Sequence, residues 1–194
     1  IDDASHRLYV LGTLLDGKMP QRAPEPLIFT RKRKAIMFRR FFHVNICVSD
    51  MERSIRFYES IGFTKVSDFM LGGGEPSIGA ALGFSVKKLR GVFMRLGTDP
   101  NAPVLDLVQF VDPPHQGQPY PTLNNIGICR IAFLVDDIAA VYKELQAKQV
   151  EFVAPLQMLD GPRGSKIGVV CFKDPDGTVL ELISSEIETT MVKN

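Results

Sequence analysis

Beyond residue 40, the same order of strand-like and helix-like hydrophobic patterns occurs twice along the chain. An apolar run over residues 43–48 leads into apolar positions at helical spacing over 51–61, and a second run over 130–135 leads into the same spacing over 138–145. Alternating apolar and polar positions, which are typical of half-buried strands, follow each helical stretch. The pattern therefore predicts a strand, a helix and further strands, in that order, twice in one chain.

The two successions align as an internal repeat. Residues 43–50 match 130–137 at an offset of 87, and residues 104–108 match 179–183 at an offset of 75. The 12-residue difference between these offsets places extra length in the first half, and we expect it within 71–86. Each half is then a β-α-β-β-β unit.

Local signals predict where the elements begin and end. Ser49 and Glu52 have the spacing of a capping box for the first helix, and Asp136 or Asp137 is expected to cap the second. The sequence of residues 174–177 predicts a tight turn between the last two strands. Further strands are expected over residues 63–70, 91–96, 151–153 and 167–173.

These elements predict an α+β fold of two tandem β-α-β-β-β modules. Module 1 is expected over residues 41–111 and module 2 over 126–185, with a proline-rich linker over 112–125. Residues 1–40 are expected to form an irregular, flexible basic extension, and residues 186–194 a tail.

Charge is distributed unevenly along the chain. Residues 1–40 hold 9 basic and 4 acidic side chains, whereas the other residues hold 14 basic and 18 acidic ones. The modules are mildly acidic, which argues against nucleic-acid binding by this part of the chain. The basic cluster over residues 31–34 is interpreted as a solvated arm, with a nuclear address or a contact to a polyanion as the alternatives. A third hypothesis for the function is an interaction protein that works through this arm.

Cysteine usage and hydropathy bear on the compartment. Cys47, Cys129 and Cys171 form no C-x-x-C pair and lie in apolar surroundings, so we expect free, buried thiols in a reducing environment. No apolar stretch approaches the roughly 18 residues needed to span a bilayer. We therefore predict a cytoplasmic protein without membrane contact.

Two acidic residues occupy strand positions that are otherwise apolar. Asp106 and Glu181 are equivalent in the repeat, and a carboxylate buried there must be paired, hydrated or bound to a metal. His43 and Arg130 are the equivalent residues near the start of each module. Two related units packed around a pseudo-two-fold axis would bring these four positions together.

Residues 43–50, the helix ending over 57–63 and residues 174–181 resemble the vicinal oxygen chelate superfamily. This superfamily includes glyoxalase I, bleomycin-resistance proteins, methylmalonyl-CoA epimerase, fosfomycin-resistance proteins and extradiol dioxygenases. The resemblance covers about residues 41–185. It implies that the modules form a curved mixed sheet around a cavity for a small molecule, and that a homodimer pairs modules between chains.

The resemblance also implies roles for particular residues. His43, Asp106 and Glu181 match positions that ligate a divalent metal, and Mg, Mn or Fe(II) would suit this set. Glu181 would be the catalytic acid and base, unless it is only a satisfied structural carboxylate. Arg130 departs from the family pattern, because a guanidinium cannot ligate a cation. Arg163 lies on a loop that resembles one at the cavity mouth, where it contacts substrate or forms a solvated turn.

Two functions follow from these roles. One is a metal-dependent enzyme with lyase, isomerase or dioxygenase chemistry on vicinal oxygens. The other is a metal-free ligand-binding protein of the bleomycin-resistance type, in which Arg130 supplies the charge of the metal by pairing with Asp106 or Glu181, or holds an anionic substrate.

Overall fold

A computed structural model describes residues 37–72, 77–161 and 164–184. Contacts divide the chain into two units at Arg39 and Arg40, and the second unit contains both modules. Module 1 contains β1 (His43–Cys47), α1 (Met51–Ser60), β2 (Phe63–Leu71), α2 (Ile78–Leu82), β3 (Lys88–Leu96) and β4 (Val104–Asp112). Module 2 contains β5 (Ile131–Val135), α3 (Ile138–Ala147), β6 (Gln157–Asp160), β7 (Lys166–Lys173) and β8 (Val179–Ser184).

Each module forms its own four-stranded mixed sheet. Sheet 1 has the strand order β1-β4-β3-β2, and sheet 2 has the order β5-β8-β7-β6. The first and last strands of each module are parallel, and the other neighbours are antiparallel. Because the two sheets have the same topology in the same chain order, the prediction of an α+β fold with tandem modules is confirmed.

One face of each sheet packs into a single hydrophobic core that includes both modules. Sheet 1 contributes Ile46 and Leu107, sheet 2 contributes Phe172 and Leu180, and α1 adds Met51. Each of these side chains is at least nine-tenths buried, and burying one such side chain stabilises the fold by about 1.5–3 kcal/mol.

The opposite face of sheet 1 includes Asn45, Phe93 and Asp106, and we call it the open face. A smaller apolar cluster that includes Leu89 and Val108 covers part of it.

The turn between β7 and β8 connects module 2 to α1. The Tyr58 hydroxyl donates to Asp174 Oδ2 at 3.0 Å, and both residues are buried. Asp176 accepts hydrogen bonds from the Ser49 amide at 3.0 Å and from Arg53 Nη2 at 2.5 Å. The predicted tight turn is present, with Gly177 at a φ of 93°. This turn therefore has a structural role in holding the modules together.

Two predicted boundaries are wrong. Asp50, and not Ser49, caps α1 by accepting from the Arg53 amide at 3.0 Å, because the Ser49 hydroxyl donates to Asp176 instead. The sixth strand is β6 (Gln157–Asp160) instead of 151–153. Residues 151–153 make only two backbone hydrogen bonds to β7, and Pro155 has no N–H with which to extend a ladder. Asp137 caps α3, as one of the two alternatives predicted.

A bulge in β2 shifts its pairing with β3. Lys65 is opposite Met94 and Ser67 is opposite Phe93, so that Val66 is the extra residue. Strand β2 therefore places Phe63 in the core and Ser67 on the open face.

Cysteine exposure differs from the expectation. All three thiols are free, as predicted, but Cys47 is exposed and the other two are half-buried. The alternation of β1 places Cys47 on the open face, whereas its neighbour Ile46 is in the core. In the part of the chain that the structure describes, no helix is long and apolar enough to cross a membrane.

Candidate functional site

Asp106 lies at the centre of the open face of sheet 1. Strand register places Asn45 on one side of it and Phe93 on the other. Asp106 is 7% exposed, and its Oδ2 accepts from Asn45 Nδ2 at 2.8 Å. Its Oδ1 has no hydrogen-bond partner among the described residues. Burial raises the pKa of Asp106, and the charge of His43 and the hydrogen bond from Asn45 oppose this shift.

His43 occupies the same face one register row away. Its ring stacks on Phe93 with 6.0 Å between centroids and contacts Phe42 at 4.9 Å. The Nδ1 atom is buried, and no residue in the described part of the chain forms a hydrogen bond with it. Two of the predicted site residues, His43 and Asp106, are thus neighbours on sheet 1, each with an unpartnered polar atom.

Glu181 lies at the equivalent place on sheet 2. It is opposite Ala132 and Cys171 in register, as Asp106 is opposite Asn45 and Phe93. Arg130 Nε lies 2.9 Å from Glu181 Oε1, with the Glu181 side chain 7% exposed and that of Arg130 41% exposed. The hydrogen bond and the charge of Glu181 raise the pKa of Arg130. This is the ion pair that the metal-free alternative predicts.

The repeat thus carries two similar carboxylates with different partners. Glu181 has a cation within the chain, whereas the residue equivalent to Arg130 in module 1 is His43. Burying a carboxylate in an apolar setting without a partner costs several kcal/mol. Even a neutral polar group that is left unpaired costs about 1–3 kcal/mol. The two modules therefore present different chemistry at matching positions.

A cavity of about 770 Å³ adjoins β1 and the start of β5, which are edge strands of the two sheets. Its lining comes from β1, residues 115–125 of the linker, the chain before and into β5, and the β7–β8 turn. Polar lining residues include Asn45, Arg53 and Arg130. Both guanidinium groups are paired with a carboxylate: Arg53 Nη2 lies 2.5 Å from Asp176 Oδ1, and Arg130 Nε lies 2.9 Å from Glu181 Oε1.

The three predicted metal ligands do not form one group. Over residues 37–72, 77–161 and 164–184, no three His, Cys, Asp or Glu side chains are placed to hold a metal ion. His43 and Asp106 belong to sheet 1, and Glu181 on sheet 2 is bound to Arg130. Within one chain, the described arrangement brings only His43 and Asp106 of the three predicted ligands near each other. Arg163, the other predicted contact for substrate, lies outside the described residues.

Sequence reasoning missed two polar residues on the open face. Arg95 follows Phe93 at the next position on the same face of β3, so alternation alone could have identified it. Ser67 reaches this face only because of the bulge at Val66, which leaves no clear signal in the sequence.

Comparisons with known proteins agree with this architecture. The profile of the Glyoxalase/Bleomycin resistance protein/Dioxygenase superfamily matches residues 40–182. A glyoxalase family protein from Bacillus cereus is similar in structure, with 19% identity and a TM-score of 0.64 over 79% of this chain and 97% of that one. A glyoxalase family protein from Enterococcus faecalis has 23% identity and a TM-score of 0.55 over 76% and 99%.

The trypanothione-dependent glyoxalase I of Leishmania major has 22% identity and a TM-score of 0.54 over 80% of this chain and 94% of that one. No curated protein is similar enough in sequence to count as a match. At these identities the solved structures establish the fold alone. The profile match covers most of the chain, including both modules. The chain therefore belongs to the Glyoxalase/Bleomycin resistance protein/Dioxygenase superfamily.

Proposed function

We propose that the protein binds a small anionic organic molecule without a metal ion, as a ligand-binding protein of the bleomycin-resistance type. The observation that carries this proposal is the ion pair between Arg130 Nε and Glu181 Oε1 at 2.9 Å. A guanidinium takes the place where a metal would otherwise balance the carboxylate, and it stays protonated at any physiological pH.

Arg130 is suited to recognise the anion. One of its N–H donors is bound to Glu181, and the residue also lines the cavity. A guanidinium has five N–H donors, so further donors can bind a carboxylate or phosphate while Nε stays on Glu181. Glu181 holds Arg130 in a fixed orientation, which lowers the entropic cost of binding.

The experiment measures metal content and anion binding together. We expect the purified wild-type protein to contain no stoichiometric metal, and we expect benzoate to bind more tightly than neutral benzamide both with and without EDTA. The Arg130→Gln variant should reduce this preference, because the amide has no positive charge. Arg56→Gln, which removes an exposed guanidinium from α1, is the matched control and should keep it.

A metal-dependent lyase, isomerase or dioxygenase is the second candidate. The unpartnered Nδ1 of His43 and Oδ1 of Asp106 on one face favour it. Close to one Mg, Mn or Fe per chain, together with loss of ligand binding in EDTA, would support this enzyme and contradict the metal-free proposal. In that case Glu181 would have to leave Arg130 to act as an acid or base.

The homodimer expected from the family stays a prediction. Pairing of modules between chains would bring His43 and Asp106 of one copy towards Arg130 and Glu181 of another. Light scattering on the purified protein at several concentrations would measure the mass directly.

A further inference from the structure

Unpartnered polar atoms are concentrated on the open face of sheet 1. Among the residues that the structure describes, six buried side-chain nitrogen or oxygen atoms have no hydrogen-bond partner. Four of these six belong to the open face, namely His43 Nδ1, Ser67 Oγ, Arg95 Nε and Asp106 Oδ1. Native proteins leave few buried polar groups unpaired, so a cluster of four on one face indicates a place where water or a ligand supplies the partners.

Strand register places these four residues in two neighbouring rows. One row across the sheet consists of Asn45, Asp106, Phe93 and Ser67. The next row consists of His43, Val104 and Arg95. Arg95 and Asp106 are therefore diagonal neighbours on β3 and β4. The Cα atoms of such neighbours lie about 7–8 Å apart.

Arg95 and Asp106 carry opposite charges, and neither forms an ion pair with another described residue. The ion pairs found over the described ranges include neither side chain. Asp106 is also more than nine-tenths buried. A ligand that satisfies both side chains needs an anionic group for the guanidinium and a cationic donor for the carboxylate, because charge-assisted hydrogen bonds are the strongest available here.

Aromatic side chains lie on the same face as the two charged residues. Phe93 is opposite Asp106 in register, and its ring contacts those of Phe42 at 5.8 Å and Phe69 at 5.3 Å between centroids. Phe42 is 45% exposed. Gly91 leaves room for the Phe69 ring, because a Cβ there would lie 2.3 Å from Phe69 Cζ. An aromatic surface with few polar groups is typical of a small-molecule site.

We propose that the open face of sheet 1 binds a small aromatic zwitterion. Its carboxylate binds Arg95 and its ammonium group binds Asp106, while its ring packs on Phe93 and Phe42. Ser67 supplies a further hydrogen bond. This site uses neither Arg130 nor Glu181, so it goes beyond the proposed function. Its test changes Arg95 and Asp106, whereas the test of the proposed function changes Arg130, so either proposal can fail without the other.

Three probes with the same phenyl group test the charge requirement. They are L-phenylalanine, 2-phenylethylamine and 3-phenylpropionate, titrated into the full chain in EDTA and followed by protein NMR and calorimetry. We expect phenylalanine to bind at least about ten-fold more tightly than either singly charged probe, since only it satisfies both side chains.

Two charge-removing variants assign the charges to residues. Arg95→Gln should weaken phenylalanine and phenylpropionate and leave phenylethylamine unchanged. Asp106→Asn should weaken phenylalanine and phenylethylamine and leave phenylpropionate unchanged. Arg56→Gln and Asp136→Asn make the same chemical changes at exposed positions and should alter none of the three affinities. Circular dichroism checks that each variant is folded.

Ser67→Ala tests the same site if either charge variant does not fold. It removes one hydroxyl from the site and should weaken phenylalanine by about three-fold or more. Equal affinity for the three probes, or no saturable binding of any probe up to about 10 mM, would overturn the proposal. Direct pairing of Arg95 with Asp106 would produce that second result.

Discussion

Arg130 and His43 stand at matching positions of the repeat but differ in what they offer the neighbouring carboxylate. Arg130 is a permanent cation that pairs with Glu181. His43 leaves Asp106 without such a pair, and the Asp106 pKa is raised by burial. The sequence itself shows that Arg130 differs from its counterpart His43, because the repeat alignment matches the two positions. The choice of Glu181 over Asp106 as the partner of Arg130 is not visible there, since it depends on tertiary packing.

Arg130→Ala is expected to destabilise the protein. The change leaves the Glu181 carboxylate, whose side chain is 7% exposed, without a cation. Because Arg130 itself is partly exposed, we expect a decrease of about 2 kcal/mol in the free energy of unfolding, less than for a fully buried pair. Urea denaturation followed by circular dichroism measures this decrease.

Lys87→Ala is the control for Arg130→Ala. It removes an exposed ion pair with Asp112 at 3.6 Å. Such pairs contribute about 0.5 kcal/mol or less. Equal decreases in the free energy of unfolding for the two variants would show that the Arg130–Glu181 pair stabilises the protein no more than a surface ion pair does.

At the scale of elements, the sequence predicts what depends on local pattern. The first strand, both long helices and the last strand are close to their predicted places, since their apolar periods match their burial. The strand predicted at 151–153 is misplaced. Its apolar residues lie against β7 and therefore resemble a strand in the sequence, but the continuous pairing with β7 is formed by β6. Helix α2 lies within the predicted extra length, where the sequence does not predict a helix.

The cap of α1 allows a direct test of the corrected boundary. Asp50 Oδ1 accepts from the Arg53 amide at 3.0 Å, so Asp50→Ala should lower the free energy of unfolding by about 1 kcal/mol. Glu52→Ala is the contrasting variant, since Glu52 contacts Arg90 at an exposed position and not the backbone of a capping box. We expect its cost to be about half as large or less. The opposite ranking in thermal and urea denaturation would restore the Ser49–Glu52 box.

For the whole molecule, the shared core makes the two modules depend on each other. Core residues from both sheets form one cluster, and the Tyr58 hydroxyl crosses from α1 to Asp174 on the β7–β8 turn. The sequence could suggest that the modules associate. It could not show that a turn resembling a family motif would also anchor α1, because that contact spans 116 residues along the chain.

Tyr58→Phe tests this connection. The variant keeps the ring in the core and removes the hydrogen bond to Asp174, so we expect a loss of about 1 kcal/mol in the free energy of unfolding. Tyr142→Phe is the matched control, because the Tyr142 ring packs on Phe152 and its hydroxyl donates to no described residue. Fluorescence and circular dichroism should report one coincident unfolding transition for both variants.

The extra residue in β2 also affects how this chain is compared with its relatives. The odd-numbered residues of β2 lie on the core side of the sheet before Val66 and on the open face after it. An alignment without a one-residue gap at Val66 would therefore match Ser67 and Phe69 with core positions of an unbulged relative. Similarity scores over this strand would then conceal differences on the open face, although related proteins that share one fold differ in their functional sites.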